Sequence, residues 1–512
     1  MLKAAMIFGN HMTLQREKTI KIWGTSDADA DISIQLSDVR QPVLVKSSET
    51  GDWMALLPPH TAAEGLTLTI LSGEEKLIFT DVRVGEVWLA GGQSNMEYML
   101  AFDAERETVL KDCRKEITFF DYPKVSYEGE LEQLDYSRFG IWRTCTPQNL
   151  PYYSAVGYYF AVQIQEKLKV PVGIIGCNWG GTPSCAWVKK EDLPGTKGEC
   201  WLREFEKGLK KLDVETYQKT FHMNPGNDHT NPFEENIQKQ TQCRMFYPGL
   251  TRKEQLQMLE MMQQYMGEAF TAEITGPWSE KAPGALYENM LTKTAPYSIR
   301  GIIFYQGESD DIHAEAYKDM LNLLITSWRK LWGEELPFLM VQLAPFGEWL
   351  TSTGTAYPVL RKAQDDAAKE LTDVYLCSSS DSGMEFDIHP KQKRPIGERL
   401  ALLAENHVYQ EAVLADPPEA VSCKRRGEKI IISFRNGQGL RIDGEKLEAL
   451  EVWDEKEHPA TIERAEIEGE SLILTGNFPA KAVVSLAWKP YYKVNLYNRA
   501  KNPAKPFKMT VE

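Results

Sequence analysis

The chain has 512 residues, room for about three domains. Its 58 Lys and Arg against 73 Asp and Glu leave a net charge of −15, and so acidic a surface repels phosphate backbones and anionic lipid, which argues against nucleic-acid or membrane-surface binding. Hydrophobic residues at 42% and aromatic residues at 10% are a globular rather than a disordered composition.

The opening residues MLKAAMIFGNHMTLQREKTI hold an apolar stretch, Ala4 to Phe8, too short for the core of a signal peptide, and no later run approaches a membrane span. Eight cysteines (Cys113, Cys145, Cys177, Cys185, Cys200, Cys243, Cys377 and Cys423) form no C-x-x-C pair, so they read as reduced thiols of a cytoplasmic protein rather than as a zinc ribbon or disulfide framework. Residues 1–82 read as an all-β module of sandwich type: TIKIWG, DISIQL, PVLVKS, WMALLP, LTLTIL and KLIFTDV are short runs, some alternating, separated by turn residues.

The pattern changes at Gly85 to Ala90, a buried-type strand leading straight into Gly91-Gly92-Gln93-Ser94-Asn95-Met96. Strands and helices then alternate: a helix over Ala155 to Lys169, strands at Pro171 to Cys177 and Ser298 to Tyr305, and a helix bearing Tyr317, Met320, Leu321, Leu324 and Trp328. Strands at Pro337 to Leu343 and Val374 to Ser378 follow, then a closing helix from Ile396 to Val408. Such alternation predicts an α/β domain over 83–412, a parallel sheet with helices on both faces and ligands at the carboxyl ends of its strands. A largely helical insertion around 190–290 includes a Met- and Gln-rich helix from Glu254 to Phe270. In residues 413–512 strands return (KIIISF, LEVWD, SLILTG, AVVSLAW), predicting a second β module.

Three polar loops fall at predicted strand ends. Ser94 lies at a strand-to-helix junction, where backbone N–H groups face an oxyanion and a hydroxyl needs only a nearby base to become a nucleophile. The G-x-S-x-G elbow of α/β-hydrolases is absent. Of eight histidines, two fall near the sheet edge, each preceded by the same residues: Asp311-Ile312-His313 and Asp387-Ile388-His389. His389 precedes the last helix and His313 is its rival. Gln306 is a side-chain donor to an oxyanion beside the N–H groups of Ser94 and Gly181, Glu308 an orienting or acid group, and Asp387 and Asp381 the acids for the histidine. No metal-binding pattern is present, and no cofactor is expected.

Together these residues resemble the sialate O-acetylesterase group of the SGNH/GDSL hydrolase superfamily. The resemblance rests on VGEVWLAGGQSNM (84–96), GIIGCNWGGTPSCAW (173–187), SIRGIIFYQGESD (298–310) and DIHPKQKRPIGERLA (387–401). It implies a three-layer α/β/α SGNH core, flanked by the two β modules, that removes acetyl groups from O-acetylated sugars without a metal. It implies Ser94 as nucleophile, His389 as base, and the Ser94 N–H, Gly180 or Gly181 and Gln306 as oxyanion donors. Gln93, Asn95 and Glu308 join them as oxyanion or substrate-binding residues, and His313 becomes a substrate or structural residue. The superfamily places Asp three residues before this His; that position is Phe386 here, which leaves Asp387, Asp381 or a backbone carbonyl to orient His389. The implied partner is an acetylated mono- or oligosaccharide, of sialic acid or plant-glycan type. Two alternatives are a glycoside hydrolase with a carboxylate pair including Glu308, and a non-catalytic glycan-binding protein on the same fold.

Overall fold

The computed structural model describes residues 1–224, 227–230, 246–266 and 274–512. Its centre is a sheet whose strands are β1 (Glu75–Gly92), β2 (Ile117–Asp121), β3 (Trp142–Thr144), β4 (Val172–Asn178), β5 (Gly301–Tyr305), β6 (Phe338–Val341) and β7 (Val374–Cys377). They lie in the order β3-β2-β4-β1-β5-β6-β7, and all neighbours are parallel except the β3–β2 edge pair. The strands β4 and β5 are buried at every residue, as apolar runs covered on both faces must be.

The helices include α1 (Ser94–Glu97), α2 (Ala155–Leu168), α3 (Glu199–Leu209), α4 (Tyr317–Trp332), α5 (Tyr357–Glu370) and α6 (Arg394–Leu403). Side chains alternate across a strand, so Trp88 and the position of Gly91 point to opposite faces of β1. Trp88 meets Phe160 of α2, whereas a Cβ on Gly91 would come within 2.8 Å of the Trp328 ring of α4, so helices cover both faces. The Ser154 hydroxyl caps α2 by accepting from Gly157 N–H at 3.0 Å and donates to Met96 O, tying α2 to α1. Gly397 lets α6 lie close on α2, since a Cβ there would sit 2.6 Å from that of Tyr159.

Strand β1 is 18 residues long and serves two regions. Its first half pairs antiparallel with Ala63–Ser72, and its second half is the middle of the parallel sheet, so the expected 82/83 boundary falls inside one strand. The apolar core is likewise continuous from Leu2 to Ala415, while residues 423–507 form a separate cluster within antiparallel sheets. Buried Arg361 of α5 joins the two, donating to Leu343 O (2.9 Å) and Ala344 O (3.1 Å) on one side and to Lys489 O (2.9 Å) and Pro490 O (2.8 Å) on the other.

In the insertion, α3 is followed by helices at Val214–Thr220 and Arg252–Met266; the expected extension to Phe270 lies outside the described residues, as does Cys243. The seven described cysteines are free thiols. Among the described residues no helix is long and apolar enough to cross a membrane.

Candidate active site

Strand β1 ends in Gly92, whose φ of +133° and close approach to Tyr305 O, 2.1 Å from a Cβ placed there, admit no side chain. The chain turns at once into α1, so Ser94 opens a helix at the carboxyl edge of the sheet. The loop after β7 reaches the same edge and brings His389 Nε2 to 3.0 Å from Ser94 Oγ. His389 is buried between the Tyr98 ring (6.1 Å, stacked) and the Trp349 ring (5.2 Å, edge-on). Among the described residues no acceptor takes the N–H of Ser94 or of Gly181, whereas the Gly180 N–H donates to Glu97 at 2.7 Å. Of the glycine pair expected to supply an oxyanion donor, Gly181 has its N–H open and Gly180 does not.

Asp387 receives the backbone N–H of His389 at 2.8 Å, and its Oδ1 lies 3.5 Å from His389 Nδ1, a long contact rather than a hydrogen bond. Lys391 Nζ is ion-paired with the other carboxylate oxygen at 2.8 Å. Burial would by itself raise the Asp387 pKa, but the His389 contact and the Lys391 charge outweigh it and hold the carboxyl below its usual range. Burial pushes the His389 pKa below its ordinary value, against the opposing pull of Asp387. The imidazole is therefore neutral near pH 7 and able to take a proton at Nε2.

A cavity of about 500 Å³ opens over these groups, walled by Trp179, Phe246, Trp349 and Tyr98. Glu97 and Lys124 form an ion pair at its side, and His229, edge-on to Trp179, is pushed down to about 4 by burial and the nearby Lys124. Of these wall residues only Trp179 lies in a motif read from the sequence; the structure alone assembles the rest.

Behind the cavity lies a buried polar network. Asn95 donates to Glu308 and to Ile388 O (3.1 Å) and accepts from Lys393 Nζ. Lys393 is fully buried, and burial pushes its pKa down to about 7. The Gln93 side-chain Oε1 accepts from the N–H of Gly307 (3.2 Å) and Ser309 (3.3 Å) and braces the loop after β5.

Several expected roles need correcting. Gln306 does not line the cavity, and its amide donates to Asp310 and to Thr182 O, so it is no oxyanion donor here. Asn95 and Glu308 are buried, hydrogen-bonded to each other and absent from the cavity wall, so the structure does not place them against a substrate there. Asp381 is held by both terminal nitrogens of Arg399 at 2.7 Å, so it is not the acid of His389. His313 faces Glu204 at 2.8 Å, away from Ser94. Among the described residues no three His, Cys, Asp or Glu side chains are grouped to hold a metal ion.

Residues 229–404 match the family profile described as carbohydrate esterase, sialic acid-specific acetylesterase, a span that includes Gln306 and His389 and begins after Ser94. The chain is 22% identical to sialate O-acetylesterase of Homo sapiens, over 98% of this chain and 91% of the human one. It is 23% identical to that of Rattus norvegicus, over 84% and 78% of the two chains. A crystal structure of a carbohydrate acetylesterase from Xanthomonas citri superimposes with a TM-score of 0.74 at 26% identity, covering 99% of both chains. The chain is thus similar over most of its length to the sialate O-acetylesterases, and its residues 229–404 match the sialic acid-specific acetylesterase profile of the carbohydrate esterases.

Proposed function

We propose that the protein is a carbohydrate O-acetylesterase, a carboxylic ester hydrolase that works through a serine acyl-enzyme. The observation that carries this reading is the 3.0 Å contact of Ser94 Oγ with the Nε2 of His389, on the floor of an aromatic-walled cavity. Neutral His389 takes the Ser94 proton as Oγ bonds to the acetyl carbonyl carbon. The open N–H groups of Ser94 and Gly181 are suited to receive the resulting oxyanion. The tetrahedral adduct collapses, the bond to the sugar oxygen breaks, and that oxygen leaves with the proton from His389. A water, deprotonated by the same imidazole, then splits the acetyl-serine into acetate and free Ser94. Asp387, ionised and beside Nδ1, orients the ring and stabilises its cationic form.

We read the sheet with its flanking helices as an SGNH-type three-layer core spanning 83–412, buttressed by β modules from residues 1–82 and 413–512. The aromatic walls suit the C–H faces of a pyranose ring. The decisive experiment is acetate release from a panel of acetylated sugars and from 4-nitrophenyl acetate, with Ser94→Ala as control. Turnover should fall by on the order of 10⁶-fold in that variant. An organophosphonate should label Ser94 alone. Retained turnover in Ser94→Ala would overturn the assignment.

A further inference from the structure

Beside the catalytic cavity lies a second groove of about 460 Å³, and the two share Gly181 and Ser309. We propose that this groove binds a carboxylate of the sugar substrate through Lys207 and Lys211, which deepens the esterase reading and rests on it.

The wall is built by α3 and the turn after it. Trp201, Glu204 and Lys207 stand at successive three-residue steps of the helix, Lys211 lies in the turn that follows it, and all four line the groove. Buried Trp201 forms the floor, edge-on to the His313 ring at 4.6 Å. His313 in turn engages the Glu204 carboxylate at 2.8 Å, so the groove's one acid is already occupied. Lys207 and Lys211 are exposed, and among the described residues neither has an ion-pair or hydrogen-bond partner.

The catalytic cavity has the opposite balance. Its lining lysine, Lys124, is neutralised by Glu97, and exposed Asp228 adds a negative charge at the wall. A substrate carboxylate approaching a chain of net charge −15 therefore meets repulsion at the catalytic cavity and two open cations one groove away. The carboxylate has two sources: the acetylated sugar itself, or the unit joined to it. A merely structural role for the lysines also has a physical basis, because cations near a helix C-terminus complement its dipole.

The test compares wild type with Lys207→Ala/Lys211→Ala and with Lys207→Glu/Lys211→Glu. Substrates are an O-acetylated sialic acid, an acetylated glucuronic-acid-bearing xylo-oligosaccharide and an acetylated neutral xylo-oligosaccharide, each kcat/KM normalised to 4-nitrophenyl acetate. The acid-to-neutral preference of wild type should fall about 3- to 10-fold in the alanine pair, and further in the glutamate pair. The same preference should weaken as salt rises from roughly 0.02 to 0.3 M. Loss confined to one acidic substrate identifies the source of the carboxylate. Calorimetric binding of free sialic acid and free glucuronic acid, weaker in both variants, reads the groove even where no ester is turned over. Absence of all ester turnover in wild type would sink the esterase reading alone. An unchanged preference and unchanged acid binding in both variants, with only Tm altered, would overturn the groove assignment and leave the helix-dipole role.

Discussion

Asn95, the residue after Ser94, donates its side-chain Nδ2 proton at 3.1 Å to the carbonyl of Ile388, the residue before His389. The same amide donates to Glu308 and accepts from Lys393, so one buried side chain joins the loop after β1, the loop after β5 and the segment leading into α6. Removing it both loosens the Ser94–His389 spacing and orphans two buried ionisable groups. Asn95→Ala should lower kcat by on the order of 10²-fold, with a smaller change in KM, because misplacement of reacting groups by about 1 Å costs that much. Its Tm should fall as well, each unsatisfied buried partner costing about 1–3 kcal/mol. Steady-state kinetics and thermal melts check both, and wild-type kcat in the variant would refute the bracing role.

The pH profile follows from His389. Its neutral form accepts the proton, so activity rises as pH rises through its pKa, and burial has moved that pKa below the ordinary value of about 6.5. The acid limb of kcat/KM should therefore lie below about pH 6.5. Asp387→Asn removes the interaction that opposes this depression, so the limb should move further down while kcat falls. A limb above pH 7 in wild type would be inconsistent with His389 as the base.

Gln306→Ala should act on stability before chemistry. Its amide is spent on Asp310 and Thr182 O inside the fold, and burial has already pushed Asp310 up to about 6. Losing that donor leaves a buried carboxylate short of a partner, at a cost of about 1–3 kcal/mol. Denaturant titration should show the loss; a drop in kcat at unchanged stability would instead return Gln306 to the oxyanion site.

Far from the site, fully buried Glu86 of β1 is paired with Arg16 (2.6 Å) and Arg300 (2.8 Å) and accepts from Tyr409. Burial alone would raise its pKa, yet the two guanidinium groups hold it below the usual range. Its contribution to stability is thus complete above the unfolded value of about 4.3 and is lost as pH falls through the depressed folded value. Glu86→Gln should destabilise by roughly 3–5 kcal/mol at neutral pH, and the difference from wild type should shrink in acid. Melting curves from pH 7 to 3 test the sign.

The sequence by itself determined the periodic elements. Buried apolar runs such as GIIGC and GIIFY, bounded by turn residues, read as central strands, and the stretch from Tyr317 to Trp328 reads as an amphipathic helix. It also placed Ser94 at a strand-to-helix junction, because Gly91-Gly92 ends the strand abruptly. Strands β2 and β3 were not read from the sequence; β3, three residues long, is too short for a period to show. Apart from the family resemblance, only the tertiary structure decided which Asp-Ile-His faces Ser94. His389 and His313 have identical neighbours on one side, and contact with a residue 295 positions away depends on how parallel strands converge at one edge. It likewise turned Gln306 and Asn95 inward, since a side chain's direction on a loop is set by the partners packed around it, and those partners come from distant segments.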